Sequence, residues 1–390
     1  MPHRSLSGAL LPCAFAAVSL TGGDQATPSR QPTFAGSTTS VVVDVVVRDR
    51  DKHPVEGLTA SDFEVYDNGH KQEISTFVAV DRPATFGSAP KESSESGAQP
   101  ISAPQAEAAT SIAALVFDQL DGSGRDLAVK AALQFVHASV SRGRRAAVFV
   151  ADRGLRVLAP YTDDVSALET AVMTAAQKPG YPMIRVGRIP NAEQDGGDRA
   201  TTDDDPFARA HATMDGLAAV IRSMADFRGR KCVVYFSEGI ALGSPEDQPI
   251  LRAGVPRDLG PATPAAGNWL TDNRRDHFLH VFDLANASRV AFYTFDAGGL
   301  RTESPMDPDF GRSPYVGLQL LADETGGAFV DSTNNLVTGV DRIIADLGTY
   351  YLLGFTTSQP PDGKYHRLEV KCHRHGYALL ARRGYLARRH

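Results

Sequence analysis

The chain has 390 residues, of which 42% are hydrophobic and 22% charged, and it carries a formal net charge of −6. This hydrophobic fraction excludes a disordered chain, and at roughly 150 residues per domain the length predicts two or three structural units. Residues 364–390 hold eight Lys or Arg and one Glu, a net +7, which leaves −13 for residues 1–363. The acidic total argues against a protein that binds nucleic acid.

The first residues predict export. His3 and Arg4 precede an apolar stretch over residues 6–20, which is followed by small and polar residues. This pattern is typical of a secretory signal peptide, which we place at residues 1–22. The stretch is shorter than the roughly 20 apolar residues that a membrane-spanning helix needs. We therefore expect a secreted or periplasmic protein of the bacterial envelope that does not span a membrane.

Residues 36–82 have the pattern of β-strands. From 41 to 48 valines alternate with a mixed set that includes Asp44 and Arg48, which predicts a strand with one buried and one solvated face. Asp67-Asn68-Gly69-His70 predicts a hairpin between strands over 63–66 and 73–77. So short a segment buries too little apolar surface to fold alone, so we expect strands in 350–387 to complete the same β domain. The basic residues of that second segment are expected to point outward from edge strands.

Strand and helix patterns alternate in the middle of the chain. Residues 83–110, rich in Ser, Ala and Pro, are predicted to be a linker. From 111 to 349 the order is β-α-β-β-α-α-β-α-β-α-β-α. We therefore predict an α/β fold, a doubly wound and mostly parallel sheet inserted in a small all-β sandwich that the N- and C-terminal segments form. Ligands of such sheets bind beyond the carboxyl ends of strands, which are here Asp118, Asp152, Ser237 with Glu238, and Asp296.

Two segments resemble a known family. Residues 55–69, VEGLTASDFEVYDNG, are similar to the opening of the bacterial, acidobacterial-type VWFA-related family, and YYLLGF at 350–355 with PDGKYHRL at 361–368 is similar to its ending. The resemblance covers nearly all of residues 36–386. It implies a von Willebrand factor A-like domain of Rossmann type at 111–349, within an exported protein that has no known catalytic activity.

The resemblance also implies a metal-ion-dependent adhesion site. The family pattern is Asp-x-Ser-x-Ser after the first strand, a Thr before the third helix and an Asp after the fourth strand, and these oxygens suit Mg²⁺ or Ca²⁺. Asp118 keeps the first position, but Leu120 and Gly122 replace the two hydroxyl residues. The site is therefore expected to be degenerate. Its candidate ligands are Asp118, Asp121, Ser123, Thr201, Thr202 and Glu238.

The function predicted from these features is an exported, non-enzymatic binding or adhesion module. It would contact a protein partner or an envelope component, and not nucleic acid, at the carboxyl end of the sheet. Long loops often determine binding specificity, so the acidic stretch 195–205 and the insertion over 241–272 are expected to rim this face. The residues assigned to the partner-binding face are Asp118, Asp121, Glu238 and Asp296.

Two alternatives stay open, and so does the oligomeric state. One alternative is a serine hydrolase, because Ser237, Asp296 and His366 occur in the order Ser, Asp, His. Its nucleophile elbow would be incomplete, since Tyr235 replaces the first Gly of Gly-x-Ser-x-Gly. The other alternative is a purely structural envelope protein.

Overall fold

The computed structural model describes residues 40–81, 111–118, 120–140, 143–151, 154–177, 206–227, 229–240, 274–298, 315–331, 335–357 and 359–387. These residues belong to one compact unit, Thr38–His390. The predicted signal peptide, the predicted linker and the two stretches expected to rim the binding face lie outside the described residues.

The secondary-structure elements are numbered in chain order. The described strands are β1 (Ser40–Arg48), β2 (Phe63–Asp67), β3 (His70–Gln72), β4 (Ile74–Asp81), β5 (Ile112–Asp118), β6 (Arg145–Ala151), β7 (Leu155–Thr162), β8 (Lys231–Ser237), β9 (Val290–Asp296), β10 (Ala328–Val330), β11 (Thr349–Thr356), β12 (Tyr365–Cys372), β13 (Ala378–Ala381) and β14 (Gly384–Leu386). The described helices are α1 (Gly122–Val140), α2 (Val165–Gln177), α3 (Pro206–Ser223), α4 (Arg274–Ser288), α5 (Tyr315–Thr325) and α6 (Val337–Gly348). A short 3₁₀ turn over Ala60–Asp62 precedes β2.

The central sheet has six strands in the order β10-β9-β8-β5-β6-β7. Neighbouring strands are parallel except β6 and β7, which form an antiparallel hairpin. From β5 to α6 the elements follow the predicted order, which confirms the prediction of an α/β fold with a mainly parallel sheet. After β5 the chain adds β6 and β7 on one side of this strand, and it then adds β8, β9 and β10 on the other side. The carboxyl ends of β5 and β8 therefore lie at a topological switch point.

Helices cover both faces of the central sheet. On one face α1, α2 and α6 contribute to a single core cluster that includes Phe135 and Ile343. On the other face α3, α4 and α5 contribute to a second cluster that includes Leu217 and Phe282. Successive residues of β5 alternate between the two clusters, which is why this strand is a continuous apolar run. Among the described helices, none combines the length and the apolar character that crossing a bilayer requires.

Strands from both ends of the chain pair in two further sheets. The first terminal sheet has the order β13-β1-β11-β4 and the second terminal sheet the order β14-β12-β2-β3. In the first, Val43 lies opposite Leu353. In the second, Val65 lies opposite Val370. Apolar residues of both sheets form one core cluster, in which the rings of Phe63 and Tyr351 are 5.3 Å apart. Neither end of the chain could bury its apolar residues in this way without the other.

The predicted hairpin in this region is only half correct. Asn68 and Gly69 turn the chain with φ angles of 49° and 80°, as a two-residue hairpin turn requires. The second strand, however, is β3, which ends at Gln72, and β4 pairs with β11 in the first terminal sheet. The strand predicted over 73–77 therefore belongs to a different sheet. Because β4 lies in the first terminal sheet, the ring of Phe77 stacks on the ring of Tyr351 inside the shared core, with 5.8 Å between the ring centroids.

The face of β1 predicted to be solvated is instead covered by the helical part of the protein. Val46 is fully buried and Arg48 is 8% exposed. Arg48 donates to the carboxylate of Asp346 on α6, from Nε at 3.0 Å and also from Nη2. Asp44 accepts a bond of 2.6 Å from Arg289, which directly precedes β9. The polar residues of β1 thus mark a contact surface within the protein, and the prediction was wrong on this point.

The basic residues near the C-terminus are also used internally. Arg374 donates to both carboxylate oxygens of Asp62, at 2.8 and 3.1 Å. Arg382 donates to the carbonyl of Val42 at 2.7 Å and to that of Asn286. The expectation that this end points its charges outward was therefore wrong for Arg382, because carbonyls of other elements lie within its reach. Arg374 pairs with Asp62 at the surface, and its side chain is 50% exposed.

The buried pair of Arg48 and Asp346 makes a testable prediction. Arg48→Met would leave the Asp346 carboxylate buried without its main partner, so we expect the free energy of unfolding in urea to fall by about 3–5 kcal/mol. Replacing both residues, Arg48→Met with Asp346→Leu, should recover most of this loss, because no uncompensated charge remains. Arg367→Met, at an exposed position of β12, is the control. If Arg48→Met lowered the free energy of unfolding no more than Arg367→Met does, the prediction would be contradicted.

A second prediction concerns acid stability. The hydrogen bond from Arg374, followed by that from the Thr59 amide, lowers the pKa of Asp62 from 3.8 to about 2. Because the folded-state value lies below the unfolded one, the stabilisation is complete above pH 3.8 and is lost as the pH falls through about 2. In urea denaturation, Asp62→Asn should therefore be less stable than wild type at neutral pH, with a difference that shrinks on acidification. Asp51→Asn, in an exposed turn, should show no such trend, and an Asp62→Asn difference independent of pH would refute the assignment.

Candidate functional site at the carboxyl end of the central sheet

Three polar residues lie side by side where the parallel strands of the central sheet end. Asp118 closes β5, Ser237 closes β8 and Asp296 closes β9, and the strand register places them in one row. Each is at most 1% exposed. Since this row includes the topological switch point, it is the place where a doubly wound sheet offers a binding site.

The carboxylate of Asp118 accepts hydrogen bonds from inside the protein. The Tyr235 hydroxyl donates to Oδ2, and Thr213 Oγ lies 3.5 Å from the same oxygen. Burial first, and then the charge of Asp118, raise the pKa of Tyr235 well above 10.0, so the phenol stays protonated and remains a donor at neutral pH. Asp118 is thus turned toward β8 and α3 and away from solvent.

Tyr235 and Thr213 are the site residues that sequence analysis missed. The threonine was expected at Thr201 or Thr202, which lie outside the described residues, whereas the described contact comes from Thr213 on α3. For Tyr235 a signal existed. A phenol in a buried strand needs a hydrogen-bond partner, and the acid that ends the neighbouring strand is such a partner.

Asp121, in the loop between β5 and α1, caps the N-terminus of α1. Its Oδ1 accepts hydrogen bonds from the Gly124 amide at 2.8 Å and from Ser123 Oγ at 3.0 Å, as is typical of a helix N-cap. The Gly124 bond in particular lowers the pKa of Asp121 below 3.8, so the group is a carboxylate at neutral pH. Asp121 and Ser123 are both exposed.

Glu238 connects this loop to the end of β8. Its Oε1 accepts a hydrogen bond from the Asp121 amide. Gly124 permits this approach, because a Cβ at that position would lie 2.7 Å from Glu238 Oε1 and 2.8 Å from the Ala297 carbonyl oxygen. The first turn of α1 is therefore packed against the residues that follow β8 and β9, and its position is defined by the sheet.

Asp296 and Ser237 are bound within their own turns. Asp296 Oδ1 accepts the Gly298 amide at 2.9 Å. The Ser237 hydroxyl donates to the Gly239 carbonyl and accepts from the Gly239 amide, each at 3.1 Å. Both side chains therefore shape the loops that leave the sheet.

The hydrolase alternative required Ser237 and His366 to meet, and the structure does not bring them together. His366 lies in the second terminal sheet, where its Nδ1 is 3.1 Å from Asp67 Oδ1 and 3.2 Å from the Tyr385 hydroxyl. Ser237 lies in the central sheet and is fully buried. The order Ser, Asp, His in the sequence thus corresponds to no triad.

The described candidates for metal ligation have hydrogen-bond partners within the protein. Asp118 Oδ2 faces the Tyr235 hydroxyl and Glu238 Oε1 faces an amide. Leu120, at a position where the family pattern has a hydroxyl, is 5% exposed and belongs to the core. Within the part of the chain that the structure describes, no three His, Cys, Asp or Glu side chains are grouped so as to hold a metal ion.

The predicted partner-binding face is therefore smaller than expected. Asp118 and Asp296 are buried, because internal donors hold their carboxylates inside the protein. Asp121 is exposed and Glu238 is partly exposed. We define the α1 loop face as Asp121, Ser123 and Glu238, the part of the site that a partner could touch.

The contact between Tyr235 and Asp118 makes a third prediction. Tyr235→Phe keeps the ring but removes the donor from a buried carboxylate, so we expect the free energy of unfolding in urea to fall by about 1–3 kcal/mol. Tyr161→Phe is the matched control, since its hydroxyl bonds Ser223 Oγ at 3.0 Å without a charged partner. In Asp118→Asn the effect of Tyr235→Phe should shrink. Equal losses in Tyr235→Phe and Tyr161→Phe would speak against the role given to Tyr235.

Comparisons with known proteins give structural likenesses at low identity. No protein-family model matches the chain, and no curated protein matches it. The vWF domain of the type V pili tip protein Mfa5 from Porphyromonas gingivalis is 15% identical, with a TM-score of 0.37, over 61% of this chain and 94% of its own. An aerotolerance-related membrane protein from Bacteroides fragilis is 11% identical, with a TM-score of 0.33, over 60% and 98%. The conserved hypothetical protein BatB from Bacteroides thetaiotaomicron is 10% identical, with a TM-score of 0.33, over 61% and 96%. At such scores these likenesses assign no function, and membership of the VWFA-related family stays a prediction.

Proposed function

We propose that the chain is an exported, non-catalytic interaction module. In this proposal a von Willebrand factor A-like domain is inserted in a β-sandwich that the two terminal sheets form. A partner protein or envelope component would bind the α1 loop face. The observation that carries the proposal is the position of this face at the switch point of a doubly wound sheet, where such folds bind their ligands.

The chemistry of the face favours a cationic partner group. Asp121 is ionised and exposed, and Glu238 adds a second, partly exposed carboxyl group. Both are fixed by backbone amides, so little side-chain entropy remains to be lost on binding. A lysine or arginine of a partner protein would meet the Asp121 carboxylate directly, beside the Glu238 carboxyl group, and the proposal requires no bridging metal ion.

The non-catalytic part of the proposal rests on the hydroxyl of Ser237. This group is fully buried and engaged in a turn with Gly239, so it is not available to attack a substrate. Export rests on the signal-peptide pattern of residues 1–22 and on the family resemblance. The resemblance of residues 55–69 and 350–368 to the VWFA-related family also supports an exported protein without catalytic activity.

Site-specific photo-crosslinking in the native envelope tests the proposal. A photoreactive p-benzoylphenylalanine in place of Ser123 should give protein adducts. The matched control is the same replacement of Ser166, which is exposed in the first turn of α2, near the opposite end of the central sheet. Glu238→Gln should lower the adduct yield at 123 several-fold, because it removes charge while keeping the acceptor oxygen. Asp164→Asn, which alters the cap of α2, should leave the yield unchanged.

Two results would count against the α1 loop face. One is equal adduct patterns at positions 123 and 166. The other is a yield at 123 that does not respond to Glu238→Gln. Adducts only at 166 would move the proposed contact to the opposite end of the sheet.

A further inference from the structure

A buried histidine of the second terminal sheet lies between two carboxyl groups. His366 of β12 is 2% exposed. Its Nδ1 is 3.1 Å from Oδ1 of Asp67, which ends β2. Its Nε2 is 3.4 Å from Oδ1 of Asp362, in the loop between β11 and β12. An ionised carboxyl group only accepts hydrogen bonds, so each ring nitrogen needs a proton to bond the oxygen that it faces. This cluster takes no part in the proposed function.

The carboxyl group of Asp67 is fully buried and surrounded by donors. The Tyr385 hydroxyl of β14 donates to Oδ2 at 2.8 Å, and Thr357 Oγ1 donates to the same oxygen at 2.5 Å. The Tyr385 oxygen is also 3.2 Å from Nδ1 of His366, but its single proton is used on the nearer Asp67 oxygen. Because water cannot reach Asp67, each donor that it loses leaves a buried acceptor unsatisfied.

Asp362 is in a different environment, since its side chain is 30% exposed. Its Oδ1 accepts a hydrogen bond of 2.8 Å from the Lys364 amide. The Lys364 bond, and to a smaller extent the bond from His366, lower the pKa of Asp362 below 3.8, so the group is a carboxylate at neutral pH. Water can replace the imidazole as a partner of Asp362, which is not possible for Asp67.

The other charged or titratable groups around His366 keep their state near neutral pH. Burial first, and then the hydrogen bond to Asp67, raise the pKa of Tyr385 above 10.0, so the phenol stays a donor. The Arg382 guanidinium lies 5.9 Å from the centroid of the Tyr385 ring, and burial lowers the pKa of Arg382 to about 10, which leaves it a cation. Lys364 is exposed beside Asp362. Histidine is the side chain that commonly changes its charge between about pH 5 and 8.

We propose that His366 is a proton-operated latch on the loop between β11 and β12. With a proton on both nitrogens, the ring bonds Asp67 and Asp362 together and so joins β2, β12 and the loop. The neutral ring has one proton and can bond only one of the two carboxylates. Burial decides which one: the proton stays on Nδ1, toward Asp67, and the proton of Nε2 passes to water. Asp362 then turns toward solvent, and the loop is released at this point while β2, β12 and β14 stay joined.

Side-chain NMR of the full chain, labelled with ¹⁵N-histidine, tests the latch from about pH 5 to about pH 8. The His366 ring is assigned through its contact with Tyr385, whose ring centroid is 5.2 Å away. We expect both His366 nitrogens to be protonated at the acidic end, and Nε2 to lose its proton while Nδ1 keeps its own as the pH rises. His375, exposed after β12, is the internal control, and its neutral ring should carry the proton mainly on Nε2, as imidazole side chains do in water. A neutral His366 ring with its proton on Nε2, or a ring whose charge stays the same throughout, would overturn the proposal.

Hydrogen exchange at the Lys364 amide gives a second readout in the wild-type protein. This amide donates to Asp362 Oδ1, so its protection factor should fall several-fold as His366 loses its proton. The Arg367 amide, which follows His366 and donates to Asn68 Oδ1 at 2.9 Å, should keep its protection. A protection factor at Lys364 that is the same at both ends of the pH range would contradict the release of the loop.

A pair of matched variants separates the latch from other effects of pH. His366→Gln removes the titrating group and should abolish the pH dependence at the Lys364 amide. His375→Gln, at the exposed position, should preserve it. Equal pH dependence in wild type and in His366→Gln would assign the change at Lys364 to another group, and the proposal would be wrong. The two wild-type measurements stand even if His366→Gln does not fold.

Discussion

The buried ion pair between Arg48 and Asp346 joins the first terminal sheet to the helices of the central sheet. Arg48 ends β1, and Asp346 lies in the last turn of α6, which leads directly into β11. A buried pair of this kind contributes little net stability compared with apolar residues of the same size, so its main effect is on specificity. A slip of β1 by one residue would turn Arg48 into the apolar core and leave Asp346 without its partner, so the pair defines the strand register.

The contacts of β1 also explain why one of its faces was wrongly predicted to be solvated although the α/β fold was predicted correctly. Alternation in β1 does give two faces, and Val43 and Val45 do lie in a core. A polar face, however, need not be a solvated face. Arg48 and Asp44 are polar because they meet Asp346 and Arg289, and a single strand pattern holds no information about which element will cover it.

Local patterns determined the element order from β5 to α6, since each strand and helix there has its own apolar period. The row of Asp118, Ser237 and Asp296 also followed from the sequence, because parallel strands end at one edge. Which way those side chains turn could not be predicted. That depends on Tyr235 and on Thr213, the latter from a helix almost a hundred residues away in sequence. The division of the 63–81 segment between two sheets likewise depends on long-range packing of Phe77.

The uneven charge of the sequence has a structural explanation that bears on the choice of partner. Arg374 and Arg382 of the basic end are engaged by Asp62 and by backbone carbonyls. Arg383 lies 3.2 Å from Asp323. These three charges join elements of the protein, while the side chains of Arg374 and Arg383 remain about half exposed. The exposed charge at the switch point is acidic instead, at Asp121 and Glu238. In the proposed function, a partner at this end of the sheet would meet the Asp121 carboxylate and the Glu238 carboxyl group, each bonded by a backbone amide, and positive charge on the partner would complement them.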